Sequence, residues 1–248
     1  TPPRPFVLHL SWLPQPQNYA PGDLLGFSLT LFGPLAMKYP TELTAALELL
    51  GEIGVGRPPA RLRLLAVGPL TRTDSSLLRL TDEVDQDLNL EFNVLIEFLT
   101  PFDHQVNNKT YDGPLFFPLL IDAILQRKIL LETAYAPPGQ SRPTRFADRL
   151  KQERAKYQDA AATIVTLADH SYWQRHRRYS GKRGKAQSLS GRRGPIVYGN
   201  VSPAFLPLLS FGLLAHLGKS TVLGLGAYAL QIDERGWQPP FWETPDDL

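Results

Sequence analysis

Between Phe211 and Leu230 the chain reads FGLLAHLGKSTVLGLGAYAL, which sets Gly212, Gly218, Gly224 and Gly226 around His216, Lys219, Ser220 and Thr221. Glycines let a backbone take positive φ and come close to a bound group. Successive N–H groups in such a turn form a concave anion site. With an ammonium and two hydroxyls beside them, the chemistry indicated is the holding of a phosphate. Gly218-Lys219-Ser220 matches the end of a nucleotide-binding P-loop, but the spacing does not. That motif needs glycine where the chain has Leu213, and Gly212 comes one residue early. The order also differs: a P-loop follows a strand and opens a helix, whereas this loop follows a helix-like run and opens a strand-like one. Nucleoside triphosphate binding is therefore set aside. A glycine-rich turn without a ligand remains the alternative to a phosphate site.

A second group lies just upstream: Arg175, His176, Arg177, Arg178, Tyr179, Lys182, Arg183, Lys185, Arg192 and Arg193, with Tyr172 and Trp173 beside them. From His170 to Ile232 there are nine Arg and Lys residues, Lys219 included, and no Asp or Glu. Such a run is a local field rather than a salt-bridged surface, and its natural partner is a polyanion. Arg and Lys neutralise phosphates, and aromatic rings stack on exposed bases at about 1–3 kcal/mol each. A solvated basic loop that orders on binding is compatible with the same residues. The region holds no carboxylate pair, so two-metal nuclease chemistry is not expected, and neither a metal nor a cofactor is read into the chain.

The elements that must carry these groups follow from hydrophobic period and punctuation. Phe6–Leu10 reads as a strand, and so does Asp23–Gly33, where Leu25, Phe27, Leu29 and Leu31 alternate. Residues 41–53 read as a helix with Leu43, Ala46, Leu47, Leu50 and Ile53 on one face, stopped by Gly54. Arg61–Val67 reads as a strand, and residues 71–87 as a polar turn or linker. Leu88–Thr100 is a strand ended by Pro101. Leu115–Thr133 and Arg145–Ala161 are helices. The stretch 164–179 starts apolar and becomes basic and aromatic, and 181–194 reads as a Gly/Ser/Lys/Arg loop. Pro195–Tyr198 is a short strand. Ser202-Pro203 is an N-cap followed by proline, opening a helix to Ala215. The glycine loop then delivers a final strand over Val222–Ile232. The second half thus has the order β-α-(α)-β-β-α-β, the ferredoxin-like arrangement; the first half has only the later parts of that order. The fold class expected is α+β, two tandem ferredoxin-like (RRM-like) domains. Residues 1–86 are the first, lacking a leading strand and helix; 87–236 are the second, with the glycine loop; and 237–248 are a tail. An open sheet face in this fold commonly serves as an RNA platform.

The whole-chain figures fit this reading. The 248 residues allow one large or two small domains, and 43% hydrophobic with 20% charged residues is an ordinary globular composition. There is no apolar run of membrane-spanning length, no signal-peptide pattern and no cysteine. Disulfides and cysteine-ligated zinc are excluded, and a reducing compartment is expected. The sequons at Asn108 and Asn200 are then chance matches. Met37 is the only methionine, so residue 1 is read as preceded by further residues.

The chain resembles the CRISPR-associated endoribonucleases of the RAMP superfamily that process precursor CRISPR RNA. The resemblance runs through Pro5-Phe-Val-Leu8, Tyr19-Ala-Pro-Gly-Asp-Leu24, Leu31-Phe-Gly33, Ala45-Ala-Leu-Glu-Leu-Leu-Gly51 with Gly54-Val-Gly56, Phe98-Leu-Thr-Pro101, Arg178-Tyr-Ser180, Pro207-Leu-Leu209, and His216-Leu-Gly-Lys219 with Gly224-Leu-Gly226. It implies two ferredoxin-like domains and metal-independent cleavage of CRISPR repeat RNA by attack of the 2′-OH, leaving 5′-hydroxyl and 2′,3′-cyclic phosphate ends. It also implies a prokaryotic cytoplasmic setting, with precursor CRISPR RNA and other CRISPR-associated proteins as partners and no membrane. In the family a catalytic histidine often lies in a strand and helix ahead of the Pro5-Phe6 segment. Cleavage of this kind needs a base, an acid and positive charge on the phosphorane. His216, next to the loop, is the catalytic candidate on this chain, and a helix-end histidine packed under the loop is the alternative. Lys219 is read as a phosphate clamp. Gly218, Ser220, Thr221, Gly224, Gly226 and the basic residues of 175–193 are read as RNA contacts, and His9 and His104 as structural. Two other readings stay open: a non-catalytic RAMP subunit that holds guide RNA in an interference complex, and a generic RNA-binding module.

Overall fold

A computed structural model of the chain describes residues 3–9, 19–33, 38–55, 59–68, 91–106, 109–135, 146–180 and 185–232. Eleven strands and four helices lie in them. The expected linker 71–87, the loop 136–143 and the tail 237–248 lie outside the described residues, as do Lys182 and Arg183.

The centre is strand β3 (Phe92–Phe102). Antiparallel to it on one side runs β10 (Gly191–Val201), and on the other β11 (Tyr228–Ile232). Strand β6 (Val165–Asp169) pairs with the far edge of β10, and β7 (Tyr172–Gln174) continues along that edge. The sheet order β11-β3-β10-β6 is the ferredoxin-like 4-1-3-2 order, all antiparallel. Register explains the core. Ile96 is level with both Ile196 and Leu230, Phe98 with Tyr228, and Val94 with Tyr198. With a side-chain period of two, all of these project to one face, and all are buried. Helix α2 (Phe117–Tyr135) covers that face with Phe117, Leu120, Ile121, Ile124 and Leu125, while α4 (Leu206–Ala215) adds Leu208 and Leu209. Helix α3 (Phe146–Ala162) backs α2 and buries Leu150 and Ala161. Ser202 accepts a hydrogen bond from the Ala204 amide, with Pro203 next, in the cap that the sequence indicates.

The other face of the sheet is a mix of aliphatic and polar side chains along β3, β10 and β11. It carries Leu95, Glu97, Pro195, Val197, Ala229 and Gln231, which the same register puts together. The basic residues instead collect at the end of the sheet where β3 stops and β10 starts.

Five boundaries differ from expectation, the first being the strand expected over Asp23–Gly33, which spans only Ser28–Leu31 and leaves Leu25 and Phe27 exposed outside it. Strand β3 continues through Pro101, which sits at a register shift where a missing N–H costs no ladder bond, and the Pro101 carbonyl accepts the Gly226 amide at 3.0 Å. Parts of the stretch read as a loop, 185–188 and 191–194, are strand: β8 (Arg177–Ser180) and β9 (Lys185–Ser188) form a hairpin, and β10 begins at Gly191. A side chain at Gly191 would collide with the Phe102 backbone, so the close strand approach there is one that glycine permits. The final strand starts only at Tyr228, because Thr221–Leu223 winds into a 3-10 turn. Finally, residues 61–68 make no ladder. The Leu62 amide reaches the Gly51 carbonyl at 3.0 Å and a single bridge joins Val55 to Ala60, but Leu65 and Val67 remain exposed.

The first half is therefore a hairpin of β1 (Phe6–His9) with β2 (Ser28–Leu31), then helix α1 (Pro40–Ile53). The predicted apolar stripe of α1 is largely unburied, with only Gly51 inside and Leu50 and Ile53 exposed. Two further strands, β4 (Gln105–Val106) and β5 (Lys109–Thr110), form a small hairpin beyond β3.

Candidate nucleic-acid interface

The glycine loop is built by packing against the end of β3. Its amides turn inward: Leu217 N–H donates to the Gly226 carbonyl at 3.0 Å, Gly226 N–H to Pro101, and Lys219 N–H to the Asp103 carbonyl at 3.3 Å. Thr100 Oγ1 closes the clasp, donating to the Gly224 carbonyl at 2.8 Å and accepting the Ala227 amide at 2.9 Å. Gly218 and Gly226 have φ of 76° and 73°. A Cβ on Gly226 would overlap the Leu217 carbonyl, and one on Gly218 would come to 2.5 Å from the Asp103 carbonyl oxygen. The close approach that these glycines permit is of backbone to backbone. The amides of Leu217, Lys219, Leu223, Gly224 and Gly226 are bonded within the protein. Gly224, Gly226 and Thr221 are buried, while Gly218 and Lys219 are exposed and Ser220 half-buried.

What the loop presents outward is Lys219 and Ser220. They share a cleft of about 550 Å3 with Trp173, Arg175 and Arg177 from the basic segment, Ser188, Leu189 and Ser190 from the β9–β10 turn, and Asp103, Thr110 and Leu225. Two groups separated by some forty residues, the loop and the basic segment, thus meet at one concavity. His176 is exposed on the same strand connection, and its amide donates to Ser190 Oγ at 3.1 Å. Arg178, Tyr179 and Lys185 lie on the β8–β9 hairpin that borders the cleft.

Two arginines belong elsewhere. Arg192 is 8% exposed, so the reading of it as an RNA contact is corrected. Its guanidinium donates to Ser171 Oγ at 2.6 Å and to the carbonyls of Asp112 and Gly113, and pairs with Asp169 at 3.6 Å. It ties β10, β6 and the turn after β5 together. Arg193 approaches Gln174 Oε1 at 3.5 Å.

His216 also faces inward. It caps α4 with φ of 51°, is 1% exposed, and sets its Nε2 3.0 Å from His9 Nδ1. The rings meet edge to face with centroids 4.5 Å apart, and His9 Nε2 lies 2.6 Å from Thr30 Oγ1. Burial, then the neighbouring His9, pushes the His216 imidazole down to about 3, and burial alone takes His9 down to about 4. Both rings are neutral at physiological pH. Neither lines the cleft, so a direct part for His216 in proton transfer to RNA has no support in this geometry. The alternative reading, a histidine packed under the loop, fits. The pair joins the two halves of the chain, and other contacts do the same. Arg127 donates to the Ala215 carbonyl at 3.1 Å and lies 5.9 Å from the centre of the Phe32 ring, and Tyr135 donates to the Pro3 carbonyl. Sequence reasoning had no signal for this junction beyond the histidines themselves. It did place His9 and His104 as structural, and both are buried.

A family model described as CRISPR-associated endoribonuclease Cas6 matches residues 96–228, more than half of the chain, and a model described as an N-terminal domain matches 1–90. A Cas6 product complex, of a Thermus thermophilus Cas6, is similar at 20% identity with a TM-score of 0.52, over 92% of this chain and 82% of that one. A second Cas6 product complex is similar at 16% identity and a TM-score of 0.47, over 92% of this chain and 84% of that one. Among curated proteins none matches.

Proposed function

The chain belongs to the CRISPR-associated Cas6 endoribonuclease family, and from that premise we propose that it binds CRISPR repeat RNA along the cleft between the glycine loop and the basic segment. It is an endoribonuclease by family. The finer reading is that it cuts precursor CRISPR RNA in the prokaryotic cytoplasm without metal, the 2′-OH attacking the scissile phosphate to leave a 5′-hydroxyl and a 2′,3′-cyclic phosphate. The division into domains at 1–86 and 87–236 is part of the same proposal. The observation that carries it is the convergence of Lys219, Arg175 and Arg177 with Trp173 and Ser220 on one concavity. Three cations address phosphates, and charge fixed before the reaction is among the largest contributions an enzyme makes to a developing phosphorane. The ring of Trp173 gives a base a face to stack on.

Among the described lining residues there is no imidazole. The proposal therefore gives these residues the binding and charge-stabilising parts of the reaction, and gives His216 the holding of the loop from beneath. The same observation favours one second reading, a subunit that holds guide RNA without cutting it. Repeat RNA incubated with the protein in EDTA under single-turnover conditions decides between them. Cleavage with 5′-hydroxyl and cyclic-phosphate ends is expected. Tight binding without cleavage supports the holding subunit, and cleavage that needs added metal or leaves 5′-phosphate ends refutes the proposed chemistry.

A further inference from the structure

Every charged side chain in the cleft is cationic except one. Asp103, just beyond β3, is the carboxylate among the described lining residues. It is well held: its carbonyl accepts the Lys219 amide at 3.3 Å, and Gly218 packs against it so closely that no side chain fits between. It is also under-used. Thr110 Oγ1 donates to Oδ1 at 3.2 Å, and Lys219 Nζ stands 3.9 Å from Oδ2, beyond hydrogen-bond distance. A carboxylate can accept about four hydrogen bonds, so most of its capacity faces the cleft; its side chain is 19% exposed.

A carboxylate repels a phosphate, so whatever part of a bound RNA lies against Asp103 is a neutral donor. It stands in the same cleft as Trp173, which is half-buried and offers a stacking face. The cleft, about 550 Å3, is within the range that encloses a small ligand. Among the bases, guanine alone presents two adjacent donors, N1–H and N2–H, on its Watson–Crick edge; adenine, cytosine and uracil each offer a single donor group there. Single-stranded RNA exposes that edge for reading. We propose that Asp103 and Trp173 form a guanine-reading pocket within the cleft, with the carboxylate bidentate on the base edge and Lys219, released from its loose pairing, on the adjacent phosphate. This rests on the reading of the cleft as the RNA site.

The test uses the whole chain and three single-stranded octamers: all uridine, uridine with one central guanosine, and the same with inosine in place of guanosine. Inosine differs from guanosine only in lacking the 2-amino donor. By fluorescence anisotropy the wild type should bind the guanosine octamer at least 5-fold more tightly than the inosine one, the lower end of what a bidentate base contact discriminates. In Asp103→Asn and Asp103→Ala, each checked for an unchanged melting temperature, the preference should fall to within 2-fold while the all-uridine octamer binds as well as before or better. Equal wild-type affinities for guanosine and inosine, or a preference that survives both substitutions, would overturn the proposal. If instead all-uridine binding is indifferent to Arg175→Ala and Arg177→Ala, the reading of the cleft itself is what fails.

Discussion

Two neutral imidazoles locked together between the halves of the chain make the fold sensitive to acid in a calculable way. In the unfolded chain His9 and His216 take protons near pH 6.5; in the folded chain they do so only near 4 and 3. Between about pH 3 and 6.5 the unfolded state therefore binds more protons. Stability is complete above that window and falls as the pH drops through it. At pH 5 each histidine should cost the folded state about 2 kcal/mol relative to pH 7, and total stabilities are only about 5–15 kcal/mol. One ring protonated can still donate to the other, but two protonated rings would oppose N–H to N–H, with the Arg127 charge nearby, so the pair titrates as a unit. Urea unfolding at pH 7 and pH 5 measures the effect. His104, which burial also lowers, adds a loss of the same sign to every variant. The double variant His9→Gln with His216→Asn should be less stable at pH 7 and lose about 4 kcal/mol less than the wild type between the two pH values. If wild type and variant lose the same amount, the imidazoles are not buried and neutral as described.

The other expectations concern the cleft and its supports. Gly226→Ala should destabilise the protein by about 2–4 kcal/mol, because a Cβ meets the Leu217 carbonyl at positive φ, whereas Lys219→Ala should leave the melting temperature unchanged and weaken RNA binding; calorimetry and a binding titration separate the two. Arg192→Ala should cost about 2–4 kcal/mol by leaving Asp169 and two carbonyls short of a donor. Arg175→Ala should instead stay within about 0.5 kcal/mol of wild type and reduce the slope of log K against log salt by about 0.7.

The legible parts of the sequence were those where period and punctuation agree. Val94, Ile96 and Phe98 alternate, and Ser202-Pro203 starts a helix that ends where Ala215 gives way to His216. The boundaries that moved did so for tertiary reasons. Arg192 and Arg193 look like loop residues until Arg192 finds Asp169 and the carbonyls of Asp112 and Gly113, which let a strand run through them. Arg61–Val67 alternates like a strand, but alternation cannot supply the neighbour a ladder needs. The basic segment and the loop were each visible as charge and glycine. Their meeting was not, since it depends on β7, β10 and the end of β3 converging. The histidine nearest the loop was the natural chemical candidate because spacing cannot tell which way a side chain points.

The pairing of Tyr228 with Phe98 joins residues separated by more than half the chain. Strand β3 is the middle of the sheet, yet both its neighbours come from much later sequence, and the loop is clasped only when Pro101 and Thr100 meet the segment around Gly226. Loop closure over such distances is slow to reward. During synthesis β3 must wait, with both edges and one apolar face open, until nearly the last described strand has left the ribosome. The cleft is thus completed late, because Lys219, Ser220 and Leu225 join its basic wall only once the glycine loop is clasped to β3.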